Sequence, residues 1–200
     1  MRAHLPGGLR LDASVVTIGA FDGVHRGHQA LICAAIAKAD SLGTPSVAVT
    51  FDPPPKAHFA GAAILTAIDE KLRRLAMLGV DHAVVIPFGA AYAAQEPSRF
   101  LADLFRLGPE TILVGADFRF GARRAGNLEL LARYFDVEIF PQALCSRGES
   151  ISSSRIRALL ARGELGAAEG LLGRWPDASV PSGLASMFVT DFGDHSHASH

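Results

Sequence analysis

Short apolar runs alternate along the chain with stretches of helical periodicity. Ser14 to Ile18, SVVTI, is a β-branched run ending in Gly19, the pattern of a buried strand. From Gly27 to Leu42 the apolar positions Leu31, Ala34, Ala35, Ala39 and Leu42 recur at three- and four-residue steps, and Gly43 supplies the stop, so a helix is predicted there. Pro45 to Phe51 predicts a second buried strand. The FDPPPKAHF that overlaps its end is expected as a rigid loop without regular structure, because three consecutive prolines remove donors and fix φ.

The alternation continues. Ala67 to Leu78 predicts a helix closed by Gly79, His82 to Phe88 a third strand, and Ser98 to Phe105 a helix with Ser98 as its cap. Thr111 to Gly121 predicts a fourth strand running into an aromatic and charged loop, GNLELLARYF a helix, and VEIFP a fifth strand. SSSRIRALLARG and LGAAEGLLG predict two short helices separated by Gly163. Strands alternating with helices of this length imply βαβ units, hence a parallel sheet with helices on both faces and ligand sites at the carboxyl ends of its strands. From Pro176 to His200 the composition turns to Ser, Gly, Asp and His with few periodic apolars, which reads as a mobile tail. Its HSHASH could chelate stray metal ions.

Four polar stretches fall just beyond predicted strand ends. In GAFDGVHRGH, Gly19, Gly23 and Gly27 permit tight turns, and the helix that follows offers unpaired N–H groups to a phosphate. His25 and His28, about one turn apart, would add imidazole donors to the same anion; the alternative has one histidine capping the helix and the other packing. ISSSRIR is a second anion device, with Ser152, Ser153 and Ser154 as cap candidates and Arg157 one turn along. Two such cradles on one rim suggest a polyphosphate such as a nucleoside triphosphate. In GADFRFGARRAGN, Phe118 and Phe120 with Arg119 could stack on a flat heterocycle or merely anchor the loop, and Arg123 and Arg124 read as a solvated face. Asp22, Asp52 and Asp117 are candidate acids near magnesium-bound phosphates.

Composition narrows the setting. The 200 residues, 49% of them hydrophobic, suffice for one well-filled core, since domains cluster at roughly 100 to 150 residues. With 19 basic and 20 acidic residues the formal net charge is -1, so no global field gathers nucleic acid or an anionic membrane, and an anion must be held by a local site. Cys33 and Cys145 stand far apart in no ligand pattern, and no run reaches the ~18 apolar residues of a membrane span, so a soluble cytoplasmic chain is expected.

TIGAFDGVHRGHQALI, VTFDPPPKAHF, VGADFRFGARRAGN and ISSSRIRALLARGELGAAEGLLGR, taken in order from Val15 to about Trp175, resemble the successive signatures of the FAD synthetase (FMN adenylyltransferase) module of the prokaryotic bifunctional riboflavin kinase/FAD synthetases. HxGH alone marks a wider nucleotidylyltransferase superfamily; the set together is more specific. The resemblance implies an α/β fold: a Rossmann-like, doubly wound, parallel five-stranded sheet of the HxGH type. It would form a single domain at residues 14–175, after an extension at 1–13 and before a tail at 176–200. It implies transfer of AMP from ATP to FMN, giving FAD and pyrophosphate with Mg2+ assisting. Carried over by position, Gly19, Phe21, Asp22, Gly23, His25, His28, Ser153, Ser154 and Arg157 would bind ATP, with His25, His28 and Arg157 catalytic. Phe51, Pro53, Asp117, Phe118, Phe120 and Asn127 would bind FMN, and metal ligands are left unassigned.

Three departures bear on the acceptor and on partners. Where the family commonly shows FxPHP, the histidine is replaced by Pro54, so any flavin contact is lost or moves to His58; and Ala20 stands where asparagine is frequent. After LLGRW the family continues into a riboflavin kinase domain and here the tail follows, so riboflavin phosphorylation is expected to be absent and FMN to come from a separate riboflavin kinase. The other readings are a nucleotidylyltransferase with a different phosphorylated acceptor and a non-catalytic nucleotide- or flavin-binding protein.

Overall fold

Strands Arg2–His4 (β1), Ser14–Ile18 (β2), Ser46–Asp52 (β3), His82–Pro87 (β4), Pro109–Gly115 (β5) and Val137–Phe140 (β6) form one sheet, in the order β1-β4-β3-β2-β5-β6 with every pairing parallel. The computed structural model describes residues 1–146 and 148–173; the expected tail and its HSHASH lie outside the described residues. The helices are Arg26–Leu42 (α1), Pro55–Ala60 (α2), Ile68–Leu78 (α3), Ala90–Ala93 (α4), Pro97–Phe105 (α5), Leu128–Ala132 (α6), Ser153–Ala161 (α7) and Leu165–Leu172 (α8).

The sheet has six strands, not five. The added one, β1, lies within the expected N-terminal extension and pairs Arg2 with His82 and His4 with Val84. Arg-Ala-His shows no apolar alternation, because this edge strand is held by its backbone ladder rather than by a buried face. The proline stretch after β3 also differs from expectation, since α2 starts at Pro55. A proline in the first helical turn has no N–H that the helix would use, so it starts the helix instead of preventing it. Ser98 is not the cap of α5: Glu96 holds that position, and Pro97 opens the helix.

Alternate strand residues feed two cores. Val16, Ile18, Val49, Val84, Ile86, Ile112 and Val114 pack against Phe100, Leu101, Leu104 and Leu131 of α5 and α6. Val15, Ala48, Val85 and Leu113 point the other way, onto Leu31, Ile32 and Ala35 of α1 and Leu72 and Leu75 of α3. All five residues of β2 are buried, as a strand covered by helices on both faces requires. A third cluster, Ile151, Ile156, Leu159, Ala168 and Leu171, joins α7 to α8.

Strand order decides where a ligand fits. From central β2 the chain moves outward through β3 and β4, then returns to lay β5 on the opposite side of β2. The crevice at such a reversal opens beyond the carboxyl ends of the strands, here β2 and β5. The loops leaving these two strands carry GAFDGVHRGH and ADFRFG.

Candidate active site

The loop after β2 is shaped by its own packing. The Phe21 ring is fully buried and folds back over Gly19, where an added Cβ would come within 2.7 Å of it. Phe21 itself adopts φ 46°. The ring that the resemblance assigns to ATP is thus packed in the core. Gly23, at φ 83°, gives its N–H to Thr66 Oγ1 at 3.0 Å, while its carbonyl accepts from Arg74 at 2.8 Å. Gly23 therefore turns the chain and anchors α3, and its amide is not available to a phosphate.

His25 caps α1: its Nδ1 accepts from the His28 N–H at 3.3 Å. The two imidazoles stack with centroids 3.6 Å apart, and His28 meets the edge of Phe21 at 5.3 Å. Gly27 makes room for this, since a Cβ there would lie 3.2 Å from the His25 ring. Capping and packing are thus realised together in the pair itself. Burial pulls His25 down to about 4, although its backbone contact and the Asp22 charge act the other way. His28 is held well below its ordinary range by burial first, then by the charges of His25 and Lys71. Both rings are uncharged at neutral pH. Because His25 Nδ1 is an acceptor, its proton sits on Nε2. His28 Nδ1 has no protein partner among the described residues.

The second anion device is brought against the first. Ser152 caps α7 by accepting from the Arg155 N–H, Ser153 Oγ donates to the Asp22 carbonyl at 2.9 Å, and Ser154 Oγ accepts from Lys56 Nζ at 2.8 Å. Buried Asp22 and half-buried Arg157 form an ion pair, Arg157 Nε donates to the Ala63 carbonyl at 2.6 Å, and the other Asp22 oxygen accepts the amides of Leu65 and Thr66. With both oxygens committed, Asp22 does not fit as a magnesium ligand. Among the described residues no three His, Cys, Asp or Glu side chains gather as a metal site, so neither Asp52 nor Asp117 completes one.

The acceptor side is aromatic. Phe118 and Phe120 stack at 5.6 Å, but Phe120 is buried against Phe100 at 5.1 Å and belongs to the core, leaving Phe118 as the half-buried ring. Phe51 is likewise core. Asn127 caps α6, its Oδ1 accepting from Leu130 N–H at 2.8 Å. That oxygen is engaged in the helix cap. Asp117 is exposed, Pro53 half-buried and Pro54 buried. His58 and Phe59 both lean on Phe88, at 5.7 and 5.6 Å, and Phe59 stays 69% exposed. Phe88 and Tyr92 join this row to Phe51, and the buried Tyr92 hydroxyl lacks a protein partner among the described residues.

Sequence reasoning missed Lys56, Phe59, Phe88, Tyr92, Lys71 and Arg74. Lys71 carried a usable signal, because it interrupts the apolar stripe Ile68, Leu72, Leu75 of α3. Phe59 and Phe88 had none, since isolated phenylalanines near loops do not announce a shared surface.

Comparison with known proteins identifies the family. The FAD synthetase family model matches residues 10–155. A protein of Geobacillus thermodenitrificans (strain NG80-2), named for both riboflavin kinase and FMN adenylyltransferase, is 49% identical over 172 residues, covering 86% of this chain and 96% of its own. The bifunctional riboflavin kinase/FMN adenylyltransferase of Escherichia coli (strain K12) is 40% identical over 172 residues, with 81% of this chain matched; the chain spans only 55% of that protein's length. A crystal structure titled as a macrolide-efflux protein from Streptococcus pneumoniae superposes with a TM-score of 0.72 at 31% identity, covering 82% of this chain and 57% of that one. By the extent of these matches the chain belongs to the FAD synthetase family and is a nucleotidyltransferase.

Proposed function

We propose that this chain transfers AMP from ATP to FMN, releasing pyrophosphate and forming FAD. The observation that supports it most is the 2.9 Å hydrogen bond from Ser153 Oγ to the Asp22 carbonyl, which ties the start of α7 to the turn before α1. Two helix N-termini thereby adjoin one crevice, and helix N-termini favour anions through unpaired amides and the helix dipole. A triphosphate spans such a pair, with the α-phosphate at the α1 end beside His25 and His28 and the β,γ-phosphates toward Ser153, Ser154 and Lys56.

An FMN phosphate oxygen attacks the α-phosphorus, the new P–O bond forms, and the bond to the bridging oxygen of the β-phosphate breaks, with pyrophosphate carrying the charge away. Such a transfer runs mainly on positioning and on neutralising charge that grows on oxygen. The uncharged imidazole of His28 fits the role of hydrogen-bond donor to that charge, and His25 fixes where His28 lies. Arg157, committed through Nε to Ala63 and through Nη2 to Asp22, holds α7 in register and retains further donors for phosphate. Magnesium would come with the nucleotide, neutralising triphosphate oxygens. Phe59, Phe88, Tyr92 and Phe118 fit a flat heteroaromatic acceptor such as the flavin ring, and His58 stands where the Pro54 substitution would shift a polar contact.

The test is a discontinuous assay with ATP, magnesium and either FMN or riboflavin, followed by separation of the flavins. FAD from FMN is the expected result. No FAD from protein that still binds ATP overturns the proposal and directs attention to other phosphorylated acceptors. The riboflavin arm reads whether residues 1–200 have the kinase activity named in the relatives.

A further inference from the structure

Among the described residues, Lys71 is the only lysine or arginine that is buried, at 0% exposure. It lies in the apolar stripe of α3, and its Nζ donates to the Phe51 carbonyl at 2.9 Å, at the end of β3. The carboxylates that act on its charge are Asp52 of β3 and then Asp22 of the turn after β2, and its charge in turn acts on His28 of α1, which stacks on His25. Burial lowers Lys71 from its ordinary range, while the Asp52 and Asp22 carboxylates favour its charged form. Asp22 is already committed to Arg157, Leu65 and Thr66, so Lys71 is not needed to satisfy it.

Burying an ammonium carries a large desolvation cost, and a neutral amide could tie down one carbonyl without it. Asp52 and Asp22 offset part of that cost, and the charge they retain stands at the carboxyl end of β3, on the rim that carries the site. We propose that Lys71 is a positioning residue of the transfer site, a fixed buried positive charge that acts through His28 on the phosphate bound there without touching it. A positive charge at the carboxyl end of β3 adds to the burial that keeps the His28 imidazole uncharged and to the field that stabilises negative charge growing at the α-phosphate. The proposal rests on the adenylyl-transfer reading for its kinetic readout and on histidine titration for a readout free of turnover.

The experiment compares the wild type with Lys71→Met and Lys71→Gln. Methionine is close in volume and removes both the charge and its desolvation cost; glutamine removes the charge and carries an amide donor on a side chain one bond shorter. The expected result is a fall in kcat of at least about tenfold in both variants with the KM for ATP within about threefold. In both, NMR is expected to show the protonation midpoint of His28 raised by roughly half to one pH unit. A Lys71→Gln variant with wild-type kcat overturns the proposal and leaves Lys71 a tether, whatever the titration shows. If the wild type forms no FAD, the function above fails and the titration decides: an unmoved His28 midpoint overturns the role of Lys71, and a raised one supports it.

Discussion

Buried Asp22 and half-buried Arg157, 135 residues apart, form an ion pair that joins the turn before α1 to α7, and the same carboxylate takes the amides of Leu65 and Thr66. Removing the carboxylate leaves the Leu65 and Thr66 amides unpaired and a half-buried Arg157 without its counter-ion, which costs about 1–3 kcal/mol. Asp22→Ala is expected to lose stability of that order in chemical denaturation, with α7 released from the first loop. A loss below about 1 kcal/mol would show that the pair holds nothing together.

His28→Ala tests the chemistry at the helix mouth. Losing one donor to developing charge at a transferring group costs about 10²–10³ in kcat. The stability lost should stay near 1 kcal/mol, the worth of its contacts with His25 and Phe21. Turnover at the parent rate in a folded variant would remove His28 from the mechanism.

The histidine pair also sets a pH dependence of stability. His25 has its folded pKa depressed from 6.5 to about 4, so the unfolded chain binds the extra proton between those values. The stability this group contributes is fully present above pH 6.5 and is lost as pH falls through 6.5 toward 4. The slope amounts to about 1.4 kcal/mol per pH unit for each such proton. His28, depressed in the same direction, adds to it. Denaturation across that window should show the slope, and His25→Gln should reduce it by about one proton; an unchanged slope would mean that His25 is charged in the folded state.

Phe59 probes the acceptor. At 69% exposure it supports little of the core, yet it leans on Phe88 at the edge of the aromatic row. Phe59→Ala is expected to raise the KM for FMN about tenfold, worth about 1.4 kcal/mol, with the KM for ATP and the melting temperature unchanged. Equal effects on both substrates would place the flavin elsewhere.

The sequence alone determined the βαβ alternation, because strands buried on both faces and amphipathic helices repeat at their own periods within a few residues. It also determined that the chemistry-bearing stretches follow strand ends, because glycines and helix caps act locally. Only the tertiary structure decided that Arg2–His4 adds a sixth strand, that Phe21 and Phe120 are core rings, and that Gly23 and Asn127 spend their polar atoms on the fold. It alone brought Asp22 to Arg157, Lys56 to Ser154 and Lys71 to the Phe51 carbonyl. The reason is physical: a periodicity reports which side of an element faces the core, but a buried charge or hydrogen-bonding atom is satisfied by whichever residue the strand order brings beside it. Here those partners come from distant parts of the chain, across the reversal between β2 and β5.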